Sequence, residues 1–174
     1  MGCERVKINK EGIGVLLVEI NRYILLSLGS DFRKMKFKQT AFTKELQVKI
    51  KEMEKESEEQ VNKLLQNYKD IFANNHLELE AVIHIEGTDC FMPGYNSSIV
   101  ISISNQNNQR GDVIDMHIIE IWSCERMILG MPVSRNIPGN KISGILLDES
   151  TVEIHEDINE FIEDYLDKDT LLQL

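Results

Sequence analysis

The period of the hydrophobic pattern changes from helical to alternating near residue 76, and that change constrains the fold more than any other feature. Between Thr40 and about Asn74 the apolar residues recur every three or four positions, as on one side of a helix. From Leu77 the period becomes two, which is typical of a half-buried strand. These apolar positions are Phe42, Leu46, Ile50, Met53, Val61, Leu64, Tyr68, Ile71 and Phe72 in the helix, and Leu77, Leu79, Ala81, Ile83 and Ile85 in the strand. One long helix followed by a sheet predicts an α+β fold.

Short alternating segments follow the first strand and predict an antiparallel meander of four to five strands. After Leu77–Glu86, the predicted strands run from Ser97 to Ser104, from about Val113 to Trp122, from Arg126 to Met131, and from Lys141 to Leu147. A tight reversal is expected at Cys124-Glu125 between the third and fourth of them. Brief connections of this kind favour a sheet with one wet face.

The ends of the chain add helices to this sheet. Gly12–Leu28 is interpreted as a buried helix, and a hairpin turning at Asn21-Arg22 stays open as the alternative. A basic linker, from Arg33 to Lys38, is expected to follow. Near the other end, Ser150 and Glu153 match a capping box, so an amphipathic helix packed on the sheet is predicted there. Thr151–Ile154 could instead form a short strand.

The length of 174 residues suits a single domain. We divide it into a helical part (1–75), an antiparallel sheet (76–147) and an acidic C-terminal helix (148–174). The middle of the long helix, Lys51–Gln60, holds one apolar residue, so this stretch is expected to project into solvent or to lie along a partner. A homodimer through the long helix is one such arrangement.

Nearly all of the net charge of -10 comes from the last 27 residues, where ten carboxylates stand against the single cation Lys168. With the apolar side of the terminal helix facing inward, four acids fall along the opposite side. They are Glu156, Glu160, Glu163 and Asp167, and we call them the acidic ridge. Like charges at this spacing cost a few tenths of a kcal/mol per pair, so the ridge gains nothing for the fold. It predicts a binding surface for a cationic protein partner.

The sequence gives only weak evidence for a catalytic or metal-binding site. Six side chains were candidates for a metal site on the wet face of the sheet: His84, Glu86, Glu78, Glu80, Asp115 and His117. Strands paired in sequence order would hold the two histidines about 10 Å apart, which favours ordinary surface residues. Cys90 lies in a loop flanked by Gly and Pro, where a catalytic thiolate is conceivable but nothing nearby in sequence activates it. No phosphate-binding loop is present, and we predict no catalytic residue, no metal and no cofactor.

The function that these observations favour is a non-enzymatic protein-binding module, specifically an acidic immunity protein that neutralises a basic bacterial toxin. A secretion or effector chaperone is the alternative. A hydrolytic or metal-dependent enzyme that uses the polar sheet face or Cys90 is the second alternative. No nucleic-acid partner is expected, because the acidic remainder would repel phosphates. The odd number of cysteines predicts a cytoplasmic protein, and no apolar stretch reaches the roughly 20 residues that a membrane span requires.

Overall fold

The computed structural model describes residues 33–106 and 113–172 of the chain, with side chains up to residue 167. All of them belong to a unit that runs from Phe32 to Leu174. The predicted helix or hairpin over Gly12–Leu28 lies outside the described residues, and a single domain over 1–174 stays a prediction.

An antiparallel sheet of six strands is the centre of this unit. The strands are β1 (Lys34–Lys38), β2 (Leu77–Glu86), β3 (Tyr95–Asn105), β4 (Val113–Ile128), β5 (Met131–Pro132) and β6 (Lys141–Leu147), and the helices are α1 (Lys44–Asn74) and α2 (Thr151–Leu172). Across the sheet the order is β1-β6-β4-β3-β2, with β5 paired to β4 outside this path. The α+β class is confirmed, and the meander is the run β2-β3-β4. The sheet has six strands where the sequence predicted four to five.

Both helices pack on the same side of the sheet. Ile99, Ile101 and Ile103 of β3 are fully buried in one core together with Ile50 and Leu64 of α1 and Ile154 and Ile158 of α2. We call this side of the sheet the helix face. The far face carries the intervening residues of β3, among them Ser98, Val100 and Ser102, because side chains alternate along a strand.

The predicted basic linker is wrong, because residues 34–38 form strand β1 at one end of the sheet. Its sequence alternates lysine with Met35 and Phe37, and these two apolar side chains pack against the core. Phe37 lies with its ring centroid 6.1 Å from that of the buried Trp122. The segment 1–75, predicted as helical, therefore includes a strand whose apolar residues were hidden between charges.

The predicted reversal at Cys124-Glu125 is also wrong. Strand β4 continues to Ile128, because Arg126 and Met127 pair with β6 on one side and Met127 pairs with β5 on the other. The chain reverses instead at Leu129 and Gly130, both in the left-handed region with φ of 50° and 83°. Positive φ at two successive residues is the geometry of a tight hairpin turn, and leucine is an uncommon residue for it.

Helix α1 lies along the sheet over its whole middle, so the predicted projection of Lys51–Gln60 into solvent is wrong. The helix is preceded by a short 3-10 turn and begins at its cap Thr43, whose hydroxyl accepts a bond from the Leu46 N–H at 3.3 Å. Within the middle, Glu54 and Ser57 are buried and Met53 packs against the core. The homodimer through this helix stays a prediction.

Candidate functional site

The acidic ridge lies on helix α2, whose start the sequence specifies by its capping box. The Ser150 N–H donates to Glu153 Oε2 at 2.8 Å, and the Glu153 N–H donates to Ser150 Oγ at 3.3 Å. The predicted box is therefore confirmed, and Thr151–Ile154 is helix, not strand. Ile154, Ile158 and Ile162 are buried, which sets the rotation of the helix on the sheet.

With this rotation, Glu156, Glu160, Glu163 and Asp167 are all exposed. Among the described residues, no lysine or arginine forms a salt bridge with any of the four. Glu163 lies beside the hydroxyl of Tyr68 in α1, whose pKa is raised first by burial and then by this carboxylate. The structure thus places the ridge where the sequence predicted it, on the side of α2 that faces solvent. Its role in binding stays a prediction.

Two other acids of α2 are used within the fold. Glu153 pairs with Arg33, and the Ser150 N–H and hydroxyl lower the pKa of Glu153. Asp157 Oδ2 lies 2.6 Å from His117 Nε2 of β4, and the His117 ring stacks on Phe161 with centroids 5.0 Å apart. These contacts join α2 to the sheet, so only part of the acidic charge of this helix is offered to solvent.

The contact of His117 with α2 also separates the six side chains that were weighed as metal ligands. His117 pairs with Ile101 in the register of β3 and β4, whereas His84 pairs with Ser98 in the register of β2 and β3. Ile101 and Ser98 lie three residues apart in one strand, so the two histidines point to opposite faces of the sheet. Asp115 is paired with Ile103, so it lies on the helix face, as His117 does. Across residues 33–106 and 113–167, no group of three His, Cys, Asp or Glu side chains could hold a metal ion.

Cys90, the candidate nucleophile, is fully buried in the core. Burial is the main cause that raises the pKa of its thiol, so the reactive thiolate is disfavoured there. The loop that carries it is held by Trp122, whose Nε1 donates to the Cys90 carbonyl at 2.7 Å. These contacts give Cys90 a packing role.

A buried polar network that sequence reasoning missed joins α1 to β3. The Tyr95 hydroxyl donates to Glu54 Oε1 at 2.6 Å, and Lys51 Nζ donates to Glu54 Oε2 at 2.8 Å and to the Tyr95 hydroxyl at 2.7 Å. Glu54 is only 5% exposed, yet its charge is compensated by these donors. The signal was in the sequence, because Glu54 and Ser57 stand at positions of the apolar stripe between Ile50 and Val61.

This network raises the pKa of two of its members, Tyr95 and Lys51. Burial first, and the bond to Glu54 second, raise the pKa of Tyr95 to about 12. Burial by itself would lower the pKa of Lys51, but the bonds to Glu54 and Tyr95 outweigh it and raise that pKa. Both shifts move the pKa away from neutral pH, so Tyr95 and Lys51 do not exchange protons there and serve as a clamp between helix and sheet.

Two further findings bear on the class of protein. No helix among the described residues is long and apolar enough to cross a membrane. Comparisons of the chain with protein-family models, with curated proteins and with solved structures gave no significant match. The function is therefore argued from the surface alone.

Proposed function

We propose that this chain is a non-enzymatic protein-binding module whose acidic ridge on α2 receives a cationic protein partner. One observation carries the proposal: Glu156, Glu160, Glu163 and Asp167 are exposed and have no described lysine or arginine to pair with. Two other acids of the same helix do have partners, since Glu153 pairs with Arg33 and Asp157 with His117.

The ridge works against the stability of its own helix. Glu156 and Glu160, and likewise Glu163 and Asp167, are like charges one turn apart, and each pair costs a few tenths of a kcal/mol. Acids in the last turns of a helix also oppose its dipole. A partner that brings positive charge removes both penalties and gains a faster encounter from electrostatic steering.

Within this class we propose an immunity protein that neutralises a basic bacterial toxin. A nuclease toxin must hold phosphates in a cationic cleft, and an acidic helix that occupies that cleft excludes the nucleic acid. We place the protein in the cytoplasm, where the unpaired thiols Cys90 and Cys124 would stay reduced.

The test compares two variants that each lose four acidic charges. In the ridge variant, Glu156, Glu160 and Glu163 become Gln and Asp167 becomes Asn. In the control variant, the same changes are made at four exposed acids of α1, which are Glu52, Glu56, Glu59 and Asp70. The partner is recovered by pull-down from the host, purified, and titrated against each variant by calorimetry.

The ridge variant should bind at least tenfold more weakly than the wild type, and the control variant should bind within about twofold. Equal losses in both variants would mean that net charge alone matters. An unchanged affinity of the ridge variant would exclude the ridge from the interface.

A further inference from the structure

The two edges of the sheet differ in how well they are protected against pairing with another strand. At one edge, β1 is five residues long and carries three lysines, which discourage edge pairing. At the other edge, β2 is ten residues long, contains no Pro or Gly, and pairs with β3 in an unbroken register of ten residues. No described strand pairs with the outer side of β2. A long, regular edge with no described neighbour is a ready template for one more strand.

Several side chains of β2 are accessible to solvent along this edge. Val82 is 46% exposed and Ile85 44% exposed, although both are apolar. Glu78 and Glu80 are exposed on the far face, on the same side as Val82. The pKa of Glu80 is raised by burial first and by the neighbouring Glu78 second. The strand therefore offers an acidic pair on one face and an uncovered isoleucine on the other.

A groove runs between β2 and the middle of α1, on the helix face. It has a volume of about 260 Å³ and is lined by Ile83 and Ile85 of β2 and by Lys51, Glu54, Lys55 and Glu58 of α1. A strand added to β2 would direct every second side chain toward this groove and the others toward Glu78 and Glu80. Strand addition beside a groove is a recurring mode of peptide recognition, in which the backbone gives affinity and the groove gives specificity.

We propose that the outer edge of β2 binds an extended segment of a partner protein that alternates basic and apolar side chains. The basic side chains face Glu78 and Glu80, and the apolar ones enter the groove beside Ile83 and Ile85. A second copy of this chain is the poorer occupant, because pairing β2 with itself would bring the glutamates of both copies onto one face. This site lies on different residues from the acidic ridge and does not rest on it.

The test uses a fluorescein-labelled, end-capped peptide of ten residues that alternates lysine and valine, titrated with the full chain at low salt. Fluorescence anisotropy should show saturable binding. A peptide that alternates glutamate and valine should not bind, and a lysine-valine peptide with one central proline should bind at least tenfold more weakly, because proline removes a ladder bond.

Variants of the protein separate this site from the ridge. The exposed pair Glu78→Lys and Glu80→Lys should weaken binding at least tenfold, and Ile85→Asp should do so independently of charge on the far face. The ridge variant should bind the peptide as the wild type does. Amide shifts on binding should map to residues 77–86, and circular dichroism should show each variant folded.

Three results would overturn the proposal. One is the absence of saturable binding. Another is binding that the ridge variant loses and the Glu78→Lys, Glu80→Lys variant keeps, which would place the peptide on α2. The third is a concentration-dependent dimer of the chain whose amide shifts map to residues 77–86, which would make a second copy the occupant.

Discussion

The two helices pack on the same face of one sheet, but their acidic residues have opposite surroundings. In α1 the charges are mixed in sign, and one carboxylate, Glu54, is drawn inside and compensated by Tyr95 and Lys51. In α2 the described charges are all acidic from Glu153 to Asp167, and those of the ridge face solvent. The number of charges in a helix therefore does not tell which of them the fold uses. The hydrogen-bond donors that surround each carboxylate decide whether the fold uses it.

The largest effect should come from the buried acid. Replacing Glu54 with Ala removes the acceptor of one buried and one partly buried bond and leaves a cavity, so the free energy of unfolding should fall by about 3 kcal/mol. Glu52→Ala, an exposed site two residues away, is the matched control and should change stability by no more than about 0.5 kcal/mol. Urea melts measure both. Equal effects of the two substitutions would show that Glu54 is hydrated.

The same clamp predicts a loss of stability at high pH. Tyr95 has a folded pKa of about 12 against an ordinary value of 10, so its contribution is complete below pH 10 and is lost as the pH rises through 12. We expect the free energy of unfolding to drop by about 2 kcal/mol across this interval. The Tyr95→Phe variant should show a shallower fall in urea melts between pH 9 and 12. If the free energy of unfolding fell equally with pH in the wild type and in Tyr95→Phe, the raised pKa of Tyr95 would be excluded.

Helix α2 also contains one acid that is paired within the fold and one that is exposed, and the expected difference in stability between them is smaller. Asp157→Ala breaks the pair with His117 and should cost about 1.5 kcal/mol, whereas Asp164→Ala, at an exposed position of the same helix, should cost nothing or stabilise slightly. Thermal melts at pH 7 compare them. If Asp164→Ala were the more damaging change, the assignment of the inward and outward sides of α2 would be wrong.

The smallest effect on stability should come from the ridge itself. The ridge variant relieves repulsion between acids one turn apart, so its free energy of unfolding should equal that of the wild type or exceed it by a few tenths of a kcal/mol. Denaturant melts at low salt give the comparison. A loss above about 1 kcal/mol would mean that the ridge serves the fold.

The parts of the fold that were predictable are those with a clean period. The alternation of β2 and the apolar side of α2 placed both elements, and the ridge followed from the rotation of α2. Strand β1 was missed because lysines separate its apolar residues Met35 and Phe37, and only pairing with β6 reveals that they are buried. The position of Glu54 in the apolar stripe of α1 indicates that it is buried, but its partner Tyr95 lies 41 residues away, and that contact is set by tertiary packing.

The face of His117 could not be read from the sequence, because it depends on the register of β4 and on what covers it. The alternating polar residues of β4 predicted that His117 faces solvent. It is instead partly covered by helix α2, where Asp157, 40 residues further along the chain, contacts it. Sequence patterns located the elements, and long-range partners decided which charged residues were left for function.

The salt dependence of the association rate decides whether the acidic ridge is a surface for a cationic partner. Stopped-flow or surface-plasmon measurements would record the rate for the wild type, the ridge variant and the α1 control variant from about 20 to 300 mM salt, which spans strong to weak screening. We expect the rate to fall steeply with salt for the wild type and the control variant. For the ridge variant we expect a rate roughly tenfold lower at low salt and a shallow dependence on salt. A ridge variant that keeps the wild-type rate and the wild-type slope would contradict the proposed role of the ridge.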